Sequence, residues 1–365
     1  MIRYTNTLSQ ICALLLITVS CSSTESKTAK NVILLIGDGM GLTQVSSSFY
    51  YSDETPNFSR FKKIGLINTS ASSHKITDSA AGATAFASGK KSYNGAIGVN
   101  SDTVSIPTIL EIAEKMNLST GVVATSSITH ATPASFYAHT KSRQMHEEIA
   151  KQFVAAEVDY AAGAGLPYFK DRDDGANYYD SLASDKVILD TLSLARFEEI
   201  CDGCQYAYLD TAASMPRMLD GREDFLSNAT KLGIDHLSRN EDGFFLMVEA
   251  SQIDWGGHAN DVEYLTTEVL DFDKVIGLVL DYAEKDGNTL VIVTADHETG
   301  GFALSSTLVE GENWSDYNKI TGTFSTDGHT STLIPVFAYG PGAEKFAGIY
   351  SNTEIFHKMI EASGW

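Results

Sequence analysis

Five short apolar runs, separated by stretches with helical spacing, constrain the fold of this chain more than any other feature of its sequence. The runs cover residues 32–36, 121–124, 244–248, 290–293 and 333–339, and runs of this length are typical of strands buried on both faces. Between them, residues 106–116, 151–157 and 261–285 have helical character. The alternation predicts an α/β fold, a three-layer sandwich whose large, mostly parallel central sheet is covered by helices on both faces.

The N-terminal residues 1–21 read as an export signal. Arg3 precedes an apolar core at 11–19, which is followed by Ser20 and Cys21. This core is too short to span a bilayer, which needs about 20 apolar residues. The small residue before Cys21 favours a bacterial lipoprotein signal with Cys21 lipidated, and plain secretion is the alternative. We therefore expect an exported protein, either periplasmic or anchored in the outer membrane.

Residues 22–365 are expected to form a single catalytic domain, because no repeat, low-complexity tract or proline-rich linker divides them. Two segments, near 170–205 and 304–326, have the weakest periodicity and are expected to be surface insertions. The first of them contains Cys201 and Cys204, a spacing that predicts a small disulfide in an oxidising compartment. A redox or zinc-ribbon interpretation is weaker, because the sequence has no second CxxC.

The charge of the exported part excludes some functions. Residues 1–21 contain one arginine and no acid, so removing them leaves 25 basic and 47 acidic residues and a net charge of −22. Such acidity argues against binding nucleic acid. An anionic substrate would therefore need a local positive charge, such as metal ions, to bind this protein.

Polar residues of the kind that ligate metals lie next to four of the apolar runs. In chain order they are Asp38, Glu249, Asp254, His258, Asp296, His297 and His329. Because the carboxyl ends of parallel strands meet at one edge of a sheet, we expect these segments to converge there. An N-cap, a turn or a hydrogen-bonded core histidine explains any one of them equally well, but their number favours a site.

Three histidines and several carboxylates, without cysteine, suit zinc in catalytic positions. The sequence predicts two sets: Asp254, His258 and His329 in one, and Asp38, Asp296 and His297 with the Ser79 oxygen in the other. Two zinc ions about 4 Å apart can stabilise both the attacking and the leaving oxygen of an in-line displacement at phosphorus. Asp254 and His258 have helical spacing, but Gly256 and Gly257 favour a tight loop there.

Residues 77–89, TDSAAGATAFASG, place Ser79 after an acid and before an alanine-rich segment that ends in glycine. The segment predicts a short helix whose start favours an anion, and its small side chains admit a bulky oxyanion. Ser79 is thus a candidate nucleophile. The ordinary alternative is that Asp-Ser merely caps a helix.

Six motifs, in this order, resemble those of alkaline phosphatases, and especially of short bacterial enzymes that include cold-active examples. They are NVILLIGDGMG, TDSAAGATAFASG, THATPASFYAHTKSR, MVEASQIDWGGH, TADHETGG and DGHTS, and the resemblance runs from about residue 31 to 365. It implies an alkaline phosphatase-like fold, a homodimer, and the hydrolysis of phosphate monoesters of many alcohols.

The resemblance also implies roles for individual residues. Ser79 would be the nucleophile that becomes a phosphoserine, and each predicted set would hold one zinc ion. A magnesium ion is implied at Asp38, Thr132 and Glu249, which offer the oxygen ligands that magnesium prefers. Arg143 matches the arginine that binds phosphate, with a planar fork suited to two nonbridging oxygens. The implied cofactors are two Zn²⁺ and one Mg²⁺ per subunit.

Three residues near these motifs are expected to support the site rather than form it. His130 and Trp255 stand where the best-known bacterial type has an aspartate and a lysine, and both occur in other branches of the family. His139 shares a motif with Arg143 and is expected to hold Arg143 in position without contacting the substrate or a metal itself. The substitutions leave open the affinity for magnesium, the identity of the third ion and the pH optimum.

Two alternative functions remain at this stage. One is a phosphodiesterase with the same metals, although Arg143 and the third-metal set favour a monoester, because they bind oxygens that a diester would have esterified. The other is a noncatalytic lipoprotein that binds phosphate or zinc. Its sequence would lack the nucleophile or a ligand, and neither is missing here.

Overall fold

The computed structural model describes residues 27–182, 187–191, 193–194, 197–201 and 203–365. The predicted export signal and Cys21 lie outside these residues. Within them the strands are β1 Asn31–Gly37, β2 Lys63–Asn68, β3 Ser119–Ser127, β4 Tyr160–Ala164, β5 Val187–Asp190, β6 Gln205–Asp210, β7 Phe244–Ala250, β8 Thr289–Thr294, β9 Glu298–Thr299, β10 Ala303–Leu308, β11 Ser315–Thr323, β12 His329–Thr330, β13 Ile334–Tyr339 and β14 Gly348–Ser351.

Ten of these strands form one sheet in the order β14-β2-β13-β8-β1-β7-β3-β4-β6-β5. All neighbouring strands of this sheet are parallel except at β13, which runs antiparallel to both β2 and β8. At the centre, Val32 of β1 pairs with Phe245 of β7 and Leu290 of β8. Every residue of these three strands is buried, so both faces of the sheet are covered, as the apolar runs predict.

Eleven α-helices are described: α1 Leu42–Tyr51, α2 Ser79–Ser88, α3 Ile109–Lys115, α4 Ala131–Ala134, α5 His146–Ala155, α6 Pro167–Lys170, α7 Tyr178–Leu182, α8 Phe225–Leu237, α9 Gln252–His258, α10 Val262–Asp286 and α11 Glu354–Ser363. Short 3₁₀ helices cover Asn57–Arg60, Phe197–Glu199, Met218–Asp220 and Ala343–Phe346. In the described part of the chain, no helix has the length and apolar content needed to cross a membrane.

The predicted helices are present with shifted ends. The helix predicted at 106–116 is α3, which begins at Ile109 because Thr108 caps it in a capping box with Glu111. The helix predicted at 151–157 is α5, which begins earlier, at His146. Its first turn contains two acidic residues, which suit a helix N-terminus. Because this turn shows no apolar periodicity, the pattern in the sequence does not reveal it. The helix predicted at 261–285 is α10, capped by Asp261.

The two segments with weak periodicity differ in the structure. In the second, β10 and β11 form a hairpin outside the ten-stranded sheet, and Tyr317 on it is 87% exposed. In the first, β5 pairs with β6 and forms one edge of the central sheet. Cys201 and Cys204, just before β6, are joined in a disulfide with Cα atoms 5.4 Å apart.

Candidate active site

The structure brings the polar residues that follow the central strands to one edge of the sheet. Asp38 follows β1, Glu249 lies at the end of β7, and Asp296 and His297 follow β8. His329 precedes β13, yet it reaches the same edge. Because β13 is antiparallel to β8, the start of β13 lies where β8 ends.

The first predicted zinc set, Asp38, Asp296 and His297, is a compact cluster whose ligand atoms all lie within 4.8 Å of one another. The Nε2 atom of His297 is 3.4 Å from a carboxylate oxygen of each acid. All three side chains are inaccessible to solvent. Burial lowers the pKa of His297 well below its usual value, so its ring is neutral and can ligate a metal.

The carboxylates of this set lack the partners that burial normally requires. Among the described residues, Asp38 Oδ2 and Asp296 Oδ2 have no hydrogen-bond partner. Burial raises the pKa of Asp38 well above its usual value, and the nearby charge of Asp296 raises it further. Two facing, buried carboxylates with free oxygens are stable when a cation lies between them. The donor set therefore fits a zinc ion.

The second predicted set, Asp254, His258 and His329, is equally compact. The Nε2 atoms of the two histidines are 3.1 Å apart, and each Nδ1 faces a backbone carbonyl, of Asp327 and Thr77 respectively. Each Nδ1 then carries a ring proton, and in the neutral rings that can ligate a metal the two Nε2 lone pairs point toward each other. Such an arrangement repels itself unless a cation lies between the rings, so this set also fits zinc.

The loop expected around Gly256 and Gly257 is wrong. These residues belong to helix α9, which presents Asp254 and His258 on one face. The glycines serve close packing rather than a turn. A Cβ on Gly256 would lie 2.7 Å from the Leu265 backbone, and one on Gly257 would lie 2.9 Å from the Thr299 carbonyl oxygen. Composition alone does not distinguish a glycine needed for packing from one needed for backbone freedom.

A third cluster joins Asp38, Glu249 and His130, whose ligand atoms lie within 4.8 Å of one another. The sequence places His130 outside the ligands, whereas the structure places its ring at ligand distance. Thr132 is buried beside Glu249, and among the described residues neither Thr132 Oγ1 nor Glu249 Oε1 has a hydrogen-bond partner. Burial raises the pKa of Glu249 to about 7, and burial lowers that of His130 to about 3, so the histidine is neutral. The cluster mixes oxygen donors with a nitrogen donor.

Ser79 is the first residue of helix α2 and lies against the first zinc set. Its Oγ is 3.3 Å from His297 Nε2 and 3.4 Å from Asp38 Oδ1. Helix α2 comes this close because Gly82 has no side chain, since a Cβ there would lie 2.9 Å from Asp296 Cβ. The position of Ser79 beside metal ligands favours the nucleophile interpretation over a simple cap.

Arg143 lies over the same edge, held by two groups. Its Nη1 donates to Asp78 Oδ2 at 3.1 Å, and its Nη2 donates to His130 Nε2 at 3.3 Å. The Asp78 carboxylate also caps α2 by accepting from the Ala81 amide. One carboxylate therefore fixes both the helix that carries Ser79 and the guanidinium beside it.

The comparison with known proteins agrees with this geometry. A family model described as alkaline phosphatase matches residues 29–163 and 209–319, more than half of the chain. The chain belongs to the alkaline phosphatase family. It is 32% identical to alkaline phosphatase 3 of Bacillus subtilis, over 91% of this chain and 88% of that protein.

Solved alkaline phosphatases share the fold. The enzyme from the Antarctic bacterium TAB5 superposes with a TM-score of 0.91 at 54% identity, covering 93% of this chain and 99% of that one. The cold-active enzyme from a Shewanella species superposes with a TM-score of 0.82 at 30% identity, covering 91% of this chain and 99% of that one. The family and the fold predicted from the sequence are both confirmed.

The remaining predicted residues of this alkaline phosphatase family member lie around the site in different roles. Trp255, on α9, makes an edge-on contact with the His130 ring, with centroids 6.0 Å apart. His139, expected to support Arg143, bonds elsewhere. Its two ring nitrogens face Glu111 Oε1 at 3.0 Å and the Gly98 carbonyl at 2.6 Å. His139 therefore ties α3 to the loop before it.

Sequence reasoning missed three residues that organise the site. The sequence draws attention to Asp78, because an acid directly precedes the candidate nucleophile. Nothing in the sequence indicates its hydrogen bond with Arg143. Thr299 donates to Asp254 and contacts His297. Gln44, on α1, donates to Glu298 Oε1 at 2.8 Å and to the Thr299 carbonyl at 3.0 Å. Apart from the contact between Thr299 and His297, these contacts join residues far apart in the sequence, so no local pattern indicates them.

Proposed function

We propose that this protein hydrolyses phosphate monoesters to an alcohol and inorganic phosphate through a phosphoserine on Ser79, with two zinc ions and one magnesium ion as cofactors. One observation carries the proposal. The Ser79 Oγ lies within 3.4 Å of two ligand atoms of a buried cluster of two carboxylates and a histidine, while Arg143 lies over the same edge, held by Asp78. A nucleophile, a place for a metal and a phosphate-binding cation therefore converge.

The zinc ions, when bound, would promote ionisation of the serine and place positive charge beside the phosphoryl oxygens. The chain's own residues perform the rest. Ser79 Oγ attacks phosphorus as the bond to the leaving alcohol oxygen breaks, and that oxygen takes up a proton. Water then attacks the phosphoserine, the bond between phosphorus and Ser79 Oγ breaks, and inorganic phosphate leaves. Ser79 regains its proton.

Arg143 would position the phosphoryl group throughout. A planar guanidinium can donate to two nonbridging oxygens at once, and the bond to Asp78 holds Arg143 in place. A monoester keeps three nonbridging oxygens for the metals and Arg143, whereas a diester has only two. This difference supports the monoesterase over the phosphodiesterase alternative.

We assign the third ion to the cluster of Asp38, Glu249 and His130 with Thr132 beside it. In the TAB5 enzyme, variants with one histidine changed to glutamate or aspartate have Mg bound in the M3 site. A carboxylate favours magnesium more than an imidazole does. The nitrogen of His130 therefore supports a site that binds magnesium less firmly than an all-oxygen site would.

The test compares two substrates and two serine variants. We expect zinc-dependent hydrolysis of p-nitrophenyl phosphate to exceed that of bis-p-nitrophenyl phosphate by orders of magnitude at alkaline pH. Ser79→Ala should abolish turnover of the monoester while bound zinc is retained. Ser88→Ala is the matched control, because Ser88 is buried on the same helix and its hydroxyl donates to the Thr84 carbonyl instead of a candidate ligand.

Each contrary result has a defined meaning. A preference for the bis-ester would overturn the roles given to Arg143 and the third ion in favour of the phosphodiesterase. No turnover of either ester by the zinc-loaded protein would favour the noncatalytic phosphate- or zinc-binding alternative. Equal activity of Ser79→Ala and the unsubstituted protein would remove Ser79 as the nucleophile.

We also propose that the protein is exported, lipidated at Cys21 and homodimeric, as the export signal and the family resemblance suggest. Mass spectrometry of the mature N-terminus tests the lipid and distinguishes it from plain secretion. Sedimentation velocity tests the dimer. Large exposed aromatic side chains, including Tyr50 at 62% and Tyr317 at 87% exposure, are the first places to look for a subunit interface.

A further inference from the structure

Thr299 contacts residues from both candidate zinc sets. It forms strand β9 with Glu298, and it is inaccessible to solvent. Its hydroxyl donates a hydrogen bond to Asp254 Oδ1 of the second set, and its Oγ1 lies 3.2 Å from His297 Nδ1 of the first. In the two-residue ladder with β12, Thr299 also pairs with His329. One side chain and its backbone therefore meet three candidate ligands.

The hydrogen bonds through Thr299 have a consistent direction. His297 Nε2 faces Ser79 and Asp38 of the first set, so the proton of the neutral ring belongs on Nδ1, where it is donated to Thr299 Oγ1. The threonine hydroxyl has one proton of its own, which it donates to the Asp254 carboxylate. The hydrogen bonds therefore run from the His297 imidazole to the Thr299 hydroxyl and on to the Asp254 carboxylate, so both ends of the series are candidate metal ligands.

We infer that Thr299 is a positioning residue that couples the two zinc sites. The inference rests on the two zinc ions of the proposed function. A zinc ion held by His297 Nε2 would draw charge from the ring and would strengthen the donation from Nδ1–H. A hydroxyl that accepts a stronger hydrogen bond also donates a stronger one. A metal ion in the first site would therefore help to orient Asp254 in the second site. A metal ion in the second site would in the same way help to orient His297 in the first.

The surroundings of Thr299 keep its hydroxyl in one place. A Cβ on Gly39 would lie 2.8 Å from Thr299 Oγ1, and a Cβ on Gly257 would lie 3.0 Å from Thr299 Cβ. The threonine backbone is held as well, because its amide donates to the Gly39 carbonyl at 3.1 Å and its carbonyl accepts from Gln44. With both glycines packed against it, a β-branched side chain has little rotational freedom.

The experiment measures zinc binding and needs no turnover. Metal-free, full-length protein is titrated with zinc in competition with a chromophoric chelator. Thr299→Val removes the hydroxyl at nearly constant shape, and Thr299→Ser keeps it. Thr294→Val is the matched control, because the Thr294 hydroxyl is also buried but donates to the Pro335 carbonyl instead of a candidate ligand. A His258→Ala background isolates the first site.

We expect Thr299→Val to weaken zinc binding at both sites by about 10- to 100-fold, the usual effect of losing a partner of a metal ligand. Binding of the two ions should be cooperative in the unsubstituted and serine forms and independent in the valine form. Thr294→Val should bind zinc like the unsubstituted protein. Circular dichroism of each metal-free variant checks folding, and Thr299→Ala replaces the valine variant if valine does not fold.

Three results would overturn the inference: zinc affinity of Thr299→Val within about twofold of the unsubstituted protein, weakening at one site alone, or equal weakening in Thr294→Val. The proposed function is tested separately, by the hydrolysis of phosphate esters. If zinc binding is coupled through Thr299 but no phosphate ester is hydrolysed, the coupling stands and the phosphatase proposal fails. If hydrolysis occurs and the sites bind zinc independently, the coupling alone fails.

Discussion

The two candidate zinc sets lie at one edge of the sheet, yet they differ sharply in exposure. In the first set, Asp38, Asp296 and His297 are inaccessible to solvent. In the second, the side chain of His258 is 42% exposed and that of Asp254 is 8% exposed. The buried set touches Ser79, the proposed nucleophile, whose position would have to stay fixed through the reaction. The open set lies where an alcohol can leave and water can enter, and we interpret its exposure as that route.

The largest effect is expected at the residue shared by the buried set and the third cluster. Asp38→Asn should lower zinc affinity by more than about 100-fold, beyond the usual effect of an outer partner, and lose the third ion and turnover together. Metal analysis of the purified variant, beside its rate with p-nitrophenyl phosphate, measures both. Asp273→Asn is the control, because Asp273 is also a buried acid but caps the Asn57–Arg60 turn. Full metal content in Asp38→Asn would contradict the assignment.

The difference in exposure itself is tested by chemical rescue. His258→Ala and His297→Ala should both lose most activity, but added imidazole should restore part of it only in His258→Ala. The open position admits a small molecule from solvent, whereas the buried one has no access. The measurement is turnover against imidazole concentration for both variants in the same zinc buffer. Equal rescue of the two variants would show that the exposure difference has no functional meaning.

A smaller effect is expected at the third cluster, which contains one nitrogen donor. His130→Asp should raise the affinity for magnesium at least roughly tenfold, or about 1.4 kcal/mol, because it replaces a neutral nitrogen with a charged oxygen. Magnesium titration of the zinc-loaded protein, followed by calorimetry, measures the change. An unchanged magnesium affinity would mean that His130 does not face the third ion.

The smallest effect is expected far from the metals. Burial raises the pKa of Glu114 to about 7, with help from the charge of Glu111. An acid whose pKa is raised by folding loses its proton first in the unfolded chain, so stability falls as pH rises from about 4.5 to about 7. Glu114→Gln should remove this loss. The variant should be more stable than the unsubstituted protein at pH 8 and equally stable near pH 4.

Urea unfolding at the two pH values measures the effect of Glu114→Gln, and zinc separates it from the site. Glu114 lies on α3, near Asp159 and the start of β4, away from the ligand edge. The stability difference should therefore be the same with and without zinc. A difference that disappears when zinc is added would place Glu114 within the metal-linked part of the molecule.

The sequence predicted the fold and most candidate ligands because both follow from local patterns. Buried strands are continuous apolar runs, and the candidate ligands lie at the end of β7 or shortly after β1, β7 and β8. The position of His329 is harder to predict, because this residue precedes its strand instead of following it. Ligand chemistry groups it with the other candidate ligands, while the antiparallel direction of β13 that brings it there is visible only in the structure.

What could not be predicted depends on packing between distant segments. The two glycines of α9 are typical of a turn when only the sequence is considered. Their role in packing depends on Leu265 and Thr299, which cannot be inferred from the motif itself. Asp78 and Thr299 act through hydrogen bonds to residues 65 and 45 positions away. The sequence places His130 behind the ligands because it stands where the best-known bacterial type has an aspartate, and only the geometry puts its ring beside Asp38.

The antiparallel strand β13 also has a consequence for the order in which the protein matures. The candidate ligands begin at Asp38, directly after β1, and end at His329, just before β13. The second zinc set therefore stays incomplete until nearly the whole chain has been synthesised and the last long strand has inserted between β8 and β2. Zinc cannot nucleate this fold as it does in a zinc finger. A metal ion that needs the complete set would instead bind late, in the compartment where the chain finishes folding.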